Sequence, residues 1–373
     1  MSKQATLLAV GDVAVARDDP ASMFKHVTPA LLAGDLVFGQ LETTITDRGA
    51  RAPHAKLAMR APSSTARAIA EAGFDVMSFA GNHCMDWGQE GFSDTLALMQ
   101  GVSIDLVGAG ADIEAARKPV FAACGDATLA FLAYSSILPE GYWAEAQRPG
   151  CAPMRAHTYY DMIEPDQPGT PPRIRTEAHA GDLSALRADI HGAKRHADIV
   201  VVSLHWGIHM TPFVIADYQV EVAHAAIDAG ADAILGHHPH ILKGVAFHNG
   251  APIFYSMGNF AIEQPHAFDP GIIESASFKH LISLHPGARA EGVYVLPEDT
   301  RKSMIVELTI ESRRVTQVAA RPVWIDDRSI PHLLASEDPR FEDVCDYLRS
   351  ASSQADFRVS CITVGDRLRF LPA

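Results

Sequence analysis

The chain has 373 residues, of which 47% are hydrophobic and 20% are charged. This length and balance are typical of a globular protein with one large domain or two. The formal net charge is −14, whereas a nucleic acid or an anionic membrane requires a basic face on the protein that binds it. Charge alone therefore argues against those two partners and points to no particular ligand.

Five cysteines are scattered along the chain without a CxxC spacing, which predicts reduced thiols rather than a disulfide framework or a structural zinc site. The apolar run near the N-terminus is too short for a signal peptide. Nowhere do about 18 apolar residues follow one another, the minimum for a membrane-spanning helix. We therefore expect a cytoplasmic protein that acts on a small molecule; the sequence makes no prediction of its oligomeric state.

Short apolar runs alternate with helical patterns along most of the chain. Buried strands are predicted at residues 6–10, 36–39, 74–80, 104–107, 129–134, 198–204, 231–235 and 253–255. Helices are predicted at residues 63–72, 91–99, 180–195 and 218–229. This alternation favours an α/β architecture with parallel strands, in which functional side chains collect at the carboxyl ends of the strands.

Two long segments interrupt the alternation. Residues 137–178 are rich in Pro, Gly and aromatic residues, and residues 264–296 form a second such region. Loops of this length in a compact domain are commonly lids or flexible inserts. The aromatic side chains of the first segment are expected either to roof a functional site or to pack on one another at the surface; they are Tyr142, Trp143, Tyr159 and Tyr160.

The pattern changes again near the C-terminus. From Met304 onward, alternating apolar residues predict a hairpin, followed by a helix near residues 341–350 and a strand near residues 359–364. We therefore expect one domain over residues 1–300, with residues 301–373 forming a hairpin and a helix packed on the same domain.

Polar side chains follow several of the predicted strands. They are Asp12, Glu42, Asn82, His83, His205 and the three histidines of Gly236-His-His-Pro-His240. Each alone has an ordinary structural explanation, such as a loop cap for Glu42 or a strand-end cap for His205. Together, two carboxylates, an amide and several imidazoles are suitable ligands for a pair of divalent transition metals, namely Mn, Fe, Zn or Co. Their joint placement at successive strand ends therefore predicts a two-metal enzyme site.

Eight short stretches form a combined pattern: Val-Gly-Asp at 10–12, Leu-Glu-Thr at 41–43, Phe-Ala-Gly-Asn-His at 79–83, Asp-Trp-Gly at 86–88, His-Trp-Gly at 205–207, Ile-Asp-Ala-Gly-Ala-Asp at 227–232, Gly-His-His-Pro-His at 236–240 and Tyr-Ser-Met-Gly-Asn-Phe at 255–260. The last three motifs are specific. The pattern resembles the CapA-type proteins of poly-γ-glutamate capsule biosynthesis (PGA_cap), a branch of the calcineurin-like metallophosphoesterases.

This resemblance implies a fold and a set of metal ligands. The fold would be a four-layer α/β/β/α sandwich of the metallophosphoesterase type with long inserted loops, covering residues 1–300 with the insert at 137–178. Two metals would lie between the loops of the sheets. The implied ligands are Asp12 and His240 for the first metal, Glu42 as the bridge, and Asn82, His205 and His238 for the second metal.

The resemblance also implies that His83 donates a proton to the leaving group, with Asp86 as its orienting partner. Two departures from the family pattern matter. Asp12-Val-Ala14 lacks the histidine that phosphoesterases usually carry at its third position, so the first metal would be weakly held or completed by another residue. The usual Gly-His-x-His has become Gly-His-His-Pro-His, in which His238 and His240 keep the spacing and His237 is a rival ligand.

These observations predict a dinuclear metal-dependent hydrolase, in which a metal-bound hydroxide attacks an ester, phosphoester or amide of a small substrate and His83 protonates the leaving group. Candidate substrate contacts are Arg17, Lys56, Arg60, Arg155 and Trp206.

Two alternatives stay open. The first is a non-catalytic or accessory component of poly-γ-glutamate or capsule metabolism. The loss of the first-motif histidine favours it, whereas the retained buried polar ligands, which cost stability, oppose it. The second is a metal-dependent lyase on the same scaffold.

Overall fold

The structure is a computed structural model that describes residues 4–285 and 292–373. The strands of these residues are β1 Ala5–Ala14, β2 Leu36–Leu41, β3 Thr44–Ile45, β4 Arg60–Ala61, β5 Val76–Ser78, β6 Asp105–Val107, β7 Ala109–Gly110, β8 Val120–Cys124, β9 Ala127–Ser135, β10 Gly150–Cys151, β11 Ala156–Asp161, β12 Arg173–Ala178, β13 Ile199–His205, β14 Ala233–His237, β15 Val245–His248, β16 Ala251–Phe254, β17 Asn259–Ile262, β18 Lys302–Glu311, β19 Arg314–Ile325, β20 Pro331–Leu333, β21 Val359–Val364 and β22 Arg367–Pro372.

The α-helices are α1 Thr28–Leu31, α2 Ser64–Glu71, α3 Gly88–Gly101, α4 Ile113–Ala116, α5 Ala180–Lys194, α6 Asp217–Asp228, α7 Pro265–Phe268, α8 Ala276–Leu284 and α9 Pro339–Gln354. Short 3-10 helices span Pro20–Met23, Ile272–Glu274 and Glu298–Arg301. In the described ranges, no helix is both long and apolar enough to cross a membrane.

Two mixed sheets form the centre of the molecule. Within the described residues, the larger sheet has ten strands in the order β21-β22-β19-β18-β1-β2-β5-β6, with β17 paired to β1 and β20 paired to β19. Strands β1, β2, β5 and β6 are parallel, whereas β18 runs antiparallel to β1. The smaller sheet has the order β15-β16-β14-β13-β9-β8, with a parallel core of β9, β13, β14 and β16.

The sheets pack face to face between two layers of helices. Phe38 of β2 stacks on Phe131 of β9, with 5.3 Å between ring centroids, so one apolar core fills the space between the sheets. Helices α5 and α6 cover the outer face of the smaller sheet in a second core. On the larger sheet, Phe92 of α3 packs against Phe79 at the end of β5. The predicted four-layer α/β/β/α sandwich is therefore confirmed.

Several strands extend further than the apolar runs predicted. Strand β1 continues to Ala14 and β14 continues to His237, because a glycine in each lies within the strand instead of ending it. A Cβ atom on Gly11 would lie 1.9 Å from the Gly258 oxygen, and one on Gly236 would lie 2.3 Å from the Tyr255 oxygen. Only glycine allows this close backbone approach, which brings the two functional strands beside the turn at 255–258.

The C-terminal segment joins the larger sheet. Strand β18 pairs with β1 over Ala5–Val10, β19 pairs with β18, and β22 pairs with β19. The predicted hairpin, helix and strand are all present as β18–β19, α9 and β21. Because β18 borders the strand that carries Asp12, this segment packs on the rest of the fold through its backbone hydrogen bonds. The division of the chain at residue 300 stays a prediction.

The long insert has two parts with different surroundings. Residues 136–140 lie beside the main cavity, whereas strands β11 and β12 form an antiparallel hairpin that lies against α6. The backbone NH groups of Thr176 and Ala178 donate hydrogen bonds to Asp217 and Glu221 of that helix. In the second long segment the structure shows α7, α8 and a 3-10 helix; residues 286–291 lie outside the described residues.

Candidate metal centre

The larger sheet contributes both predicted carboxylates. Asp12 lies in β1 and is paired with Asn259 of β17 and with Gln40 of β2. Glu42 follows β2 directly, and its backbone NH donates to the Val13 oxygen. Both side chains are buried. The parallel alignment of β1 and β2 therefore places two carboxylates side by side at the same edge.

The smaller sheet contributes the imidazoles. His205 ends β13 and is paired with His237, which ends β14. After His237 the chain turns sharply: His238 has φ +91° and His240 has φ +58°. The left-handed region is unusual for histidine and costs on the order of 1–3 kcal/mol per residue. Backbone strain of this kind is concentrated at functional sites, where the surrounding structure holds the side chains in place.

Donor atoms from the two sheets converge in two overlapping groups. One ligand atom each of Asp12, Glu42 and His205 lie within 4.8 Å of one another, and the same holds for Glu42, His238 and His240. Glu42 belongs to both groups, as expected for a bridging carboxylate. His205 groups with Asp12, and His238 groups with His240. His240 Nδ1 also lies 3.3 Å from Asp12 Oδ2, which is the pair expected for the first metal.

The buried polar atoms of these groups lack ordinary partners. Among the described residues, no hydrogen bond reaches Asp12 Oδ1, either oxygen of Glu42, His205 Nδ1 or His238 Nδ1. Buried polar atoms are almost always hydrogen-bonded, so a set of orphaned oxygens and nitrogens in one place calls for an explanation. A bound cation satisfies them all, and carboxylate and imidazole donors suit divalent transition metals. The residues present therefore fit a metal site.

The electrostatics of the site lead to the same conclusion. Burial, reinforced by the charges of Asp12 and Asp86, raises the pKa of Glu42 well above its ordinary value. Burial also works to raise the pKa of Asp12, but contacts with His237 and His240 hold it far below the usual range. Burial lowers the pKa of His205 and His238, which keeps both imidazoles neutral. Neutral imidazoles and a carboxylate pair that cannot easily ionise together are what a divalent cation would stabilise.

His83, the predicted proton donor, is held by a chain of hydrogen bonds. Its Nδ1 lies 2.6 Å from Oδ2 of Asp86, which also accepts a hydrogen bond from the Met59 backbone NH at 2.7 Å. The other carboxylate oxygen of Asp86 accepts a hydrogen bond of 2.8 Å from the Tyr142 hydroxyl. His83 Nε2 lies 3.9 Å from Glu42 Oε1. The imidazole is therefore fixed with its second nitrogen beside the carboxylate shared by both groups.

Asn82 and His237 differ in their surroundings. The amide oxygen of Asn82 lies 2.7 Å from His205 Nε2, so the Asn82 side chain contacts one of the grouped ligands. His237 is fully buried, 3.4 Å from Asp12, and it does not line the cavity. His238 and His240 do line it. His237 lies beside Phe38, and neither of its ring nitrogens has a hydrogen-bond partner among the described residues, so it stays a rival ligand.

A cavity of about 820 Å³ opens over these residues. Of the predicted substrate contacts, Lys56 lines it, whereas Arg17 pairs with Glu263, a lining residue, at 2.6 Å. The structure does not bring Arg60, Arg155 or Trp206 to the cavity. Arg60 lies over the Trp87 ring and Arg155 pairs with Asp182. Trp206 is in the core, because its indole stacks on Tyr255 and donates to the Tyr255 oxygen.

None of the four aromatic side chains named in the insert lines the cavity. Tyr142 contacts Asp86 instead, and Tyr159 and Tyr160 lie on the exposed hairpin. The physical reason is the anchoring of that hairpin on α6, which turns its aromatic side chains toward solvent.

Two residues of the site, His209 and Asn259, were missed by sequence reasoning. His209 lines the cavity, with ring centroids 5.4 Å from His238 and 5.1 Å from His240. Burial lowers its pKa to about 3, so it is neutral. Asn259 accepts a hydrogen bond of 2.8 Å from His240 Nδ1, which orients that ring. Tyr142 was expected at the roof of the site or at the surface, and only its contact with Asp86 was not foreseen. His209 could have been found from its position four residues after His205. Asn259 belongs to the motif Tyr-Ser-Met-Gly-Asn-Phe at 255–260.

Known proteins resemble this chain in sequence. The family model described as bacterial capsule synthesis protein PGA_cap matches residues 6–264. The PGA biosynthesis protein CapA of Bacillus subtilis is 31% identical over 245 residues, which cover 65% of this chain and 57% of that protein. The chain spans between 55% and 61% of the length of the first curated relatives that it matches.

Solved structures were compared as well. A hypothetical protein from Thermus thermophilus matches 85% of this chain and 98% of its own, with 17% identity and a TM-score of 0.48. The calcineurin-like phosphoesterase YfkN from Bacillus subtilis matches 94% of this chain and 97% of its own, with 11% identity and a TM-score of 0.39. The family model, which covers more than half of the chain, is the stronger finding. The chain belongs to the family of the bacterial capsule synthesis protein PGA_cap.

Proposed function

We propose that this protein is a dinuclear metal-dependent hydrolase that cleaves an ester, phosphoester or amide of a small substrate. The observation that carries the proposal is the pair of ligand groups that share Glu42, with their orphaned buried donors. They lie beside His83, and His238 and His240 of the second group line a cavity. The first group would hold one divalent metal and the second the other, with Mn, Fe, Zn or Co as the suitable ions. Bound there, the metals would supply Lewis acidity to the electrophile and to an attacking water.

The residues of the chain would perform the remaining tasks. The hydrogen bond from His83 Nδ1 to Asp86 directs Nε2 toward the cavity, so a protonated His83 carries its transferable proton where a leaving group would depart. Hydrolysis adds the oxygen of water to the electrophilic carbon or phosphorus. The leaving oxygen or nitrogen takes the proton from His83. Asp86, buried and negatively charged, would stabilise the imidazolium before this transfer.

Metal analysis and a substrate panel test the proposal. The protein would be purified from Mn- or Fe-supplemented medium, its metal content measured, and its activity assayed on aryl phosphates, phosphodiesters, lactones, amides and glutamyl peptides with each metal. We expect about two metals per chain. His83→Asn should keep the metals and lose about 10²–10⁴-fold in kcat. His240→Ala should lose both metal and activity.

The control is His191→Ala, which removes an exposed histidine of α5 and should leave metal content and activity unchanged. Fewer than one metal per chain, or an activity that neither His83→Asn nor His240→Ala alters, would contradict the proposal.

A second candidate is an accessory role in PGA metabolism, favoured by the family match and by the role in the name of the Bacillus subtilis relative. The replacement of the first-motif histidine by Ala14, which packs in an apolar group with Met59 and Ile262, is a further point in its favour. This role requires binding of glutamate oligomers without turnover. Binding of γ-glutamyl oligomers by a protein that takes up no metal would support it over the hydrolase.

A further inference from the structure

The cavity above the candidate metal centre has two chemically distinct parts. Its floor is polar and consists of Asn82, His83, His209, His238 and His240. The walls come from segments that are distant in sequence and are mostly apolar; they include Leu57, Met59, Leu138, Ile262, Phe268 and Phe278. A ligand whose polar group reached the floor would therefore place the rest of its surface against hydrocarbon.

The charges around the cavity are unfavourable for a polyanion. Lys56, exposed at the rim, is the one Lys or Arg among the lining residues that the structure describes. Asp86, Glu140 and Glu263 line the same cavity, and the guanidinium that neutralises Glu263 belongs to Arg17 outside the lining. Sites for phosphate chains or several carboxylates use clusters of arginine and lysine. The described lining residues provide no such cluster.

The apolar walls are large enough to determine affinity. A cavity of about 820 Å³ lies within the size range of sites for small molecules, which are mostly apolar with few polar groups. Each methylene group buried against such walls improves binding about three- to fourfold. An alkyl or aryl body of six to eight carbons would therefore contribute more to recognition than the single lysine at the rim.

We infer that the substrate has an apolar aryl or alkyl body and one polar or singly anionic reacting group, and that it is not an anionic polymer. The inference rests on the proposed function for the orientation of the substrate, with the reacting group at the metals. The apolar body would contact Phe268 and Leu138 on opposite segments of the wall. This assigns a substrate class to the centre that neither the metal ligands nor the family match specify.

Alkylphosphonates test the inference, because they carry one metal-binding head group and are not hydrolysed. Dissociation constants of methyl-, butyl-, hexyl- and octylphosphonate would be measured by calorimetry on the Mn-loaded protein. We expect affinity to rise steadily with chain length, at least tenfold from butyl to octyl. Phe268→Ala and Leu138→Gln, on different segments, should each reduce this gain, whereas Phe121→Ala, on the edge strand β8, should not.

Two results would overturn the inference. The first is an affinity that does not depend on the length of the alkyl chain. The second is a competition experiment in which a γ-glutamyl oligomer displaces bound octylphosphonate at a lower concentration than hexylphosphonate does. If the protein takes up no metal, the proposed function fails instead. The same chain-length series, measured on the metal-free protein, then decides the inference, since the walls do not depend on the metals. Absence of any binding in both forms also contradicts it.

Discussion

At the scale of single residues, the site depends on side chains that orient others. Asp86 receives hydrogen bonds from Tyr142 and from the Met59 backbone while it contacts His83, and Asn259 orients His240. Asp86 lies three residues after His83 and was expected as its partner, whereas Tyr142 lies 56 positions from Asp86. An orienting residue this distant in sequence becomes evident only when the chain is folded.

Tyr142→Phe tests the role of this hydrogen bond. Loss of the hydroxyl leaves one oxygen of the buried Asp86 without a partner, so His83 is held less firmly. On a substrate that the wild type cleaves, we expect kcat to fall about three- to tenfold with KM unchanged, and the free energy of unfolding to fall by about 1 kcal/mol. Tyr160→Phe, the same change on the exposed hairpin, is the control and should alter neither quantity. A change in KM with no fall in kcat would be inconsistent with this role.

At the scale of elements, close backbone contacts and one buried lysine hold the loops around the centre. Gly236 lets β14 approach the turn at Tyr255. The buried Lys243 donates hydrogen bonds to the backbone oxygens of Thr211 and Val214, in the loop that carries His209. The strands themselves are predictable from apolar runs, although their ends are not, since a glycine after an apolar run is typical of a strand end. Its actual role depends on which strand lies next to it.

Gly236→Ala tests the close contact. The added Cβ would lie 2.3 Å from the Tyr255 oxygen, so the strands must separate. We expect the free energy of unfolding in urea to fall by about 3 kcal/mol and metal affinity to fall with it. Gly101→Ala, where a Cβ would meet nothing within 4 Å, should change stability by less than about 1 kcal/mol. Equal effects of the two substitutions would show that the contact is unimportant.

The buried Lys243 should make the stability of the protein depend on pH. Burial lowers its pKa to about 8 from 10.5, so between these values the unfolded chain binds more protons than the native one. Stability contributed by this group must therefore rise as pH increases from 8 to 10.5, and the penalty is fully present below pH 8.

We expect the wild type to gain about 2–3 kcal/mol relative to Lys243→Met over that range, measured by urea unfolding at each pH. Lys118→Met, at a position outside the core, should show no such difference from the wild type. If the difference in unfolding free energy between wild type and Lys243→Met stayed constant from pH 8 to 10.5, the lowered pKa of Lys243 would be refuted.

At the scale of the whole molecule, the candidate centre joins the two sheets. The carboxylates come from the larger sheet and most of the imidazoles from the ends of the smaller one, so a bound metal would link them. The residue types at strand ends predicted that these side chains would meet. Which histidine shares a metal with which carboxylate stays a prediction, since it depends on the turn after His237.

Metal removal should therefore destabilise the entire fold. A metal at 100 times its dissociation constant adds about 2.7 kcal/mol to the stability of the native state, which corresponds to about 3 °C in Tm for a chain of this size. Thermal unfolding with and without a chelator, followed by re-addition of Mn or Zn, measures the effect. Asp12→Asn should remove most of the metal-dependent increase. A Tm that is insensitive to both chelator and metal would exclude a centre that bridges the sheets.

The sequence by itself determined an α/β class with parallel strands, the positions of most strands and helices, and most of the residues that converge at the centre. It could do so because apolar runs, helical periodicity and polar residues at the ends of strands are local patterns in the chain. The four-layer α/β/β/α sandwich was implied by the resemblance of its motifs to a known family. Tertiary structure alone decided the grouping of the histidines, the place of His237 and Trp206 in the core, the orienting role of Tyr142 and the apolar walls of the cavity. These properties depend on contacts between segments far apart in the chain, and no local pattern encodes which segments become neighbours.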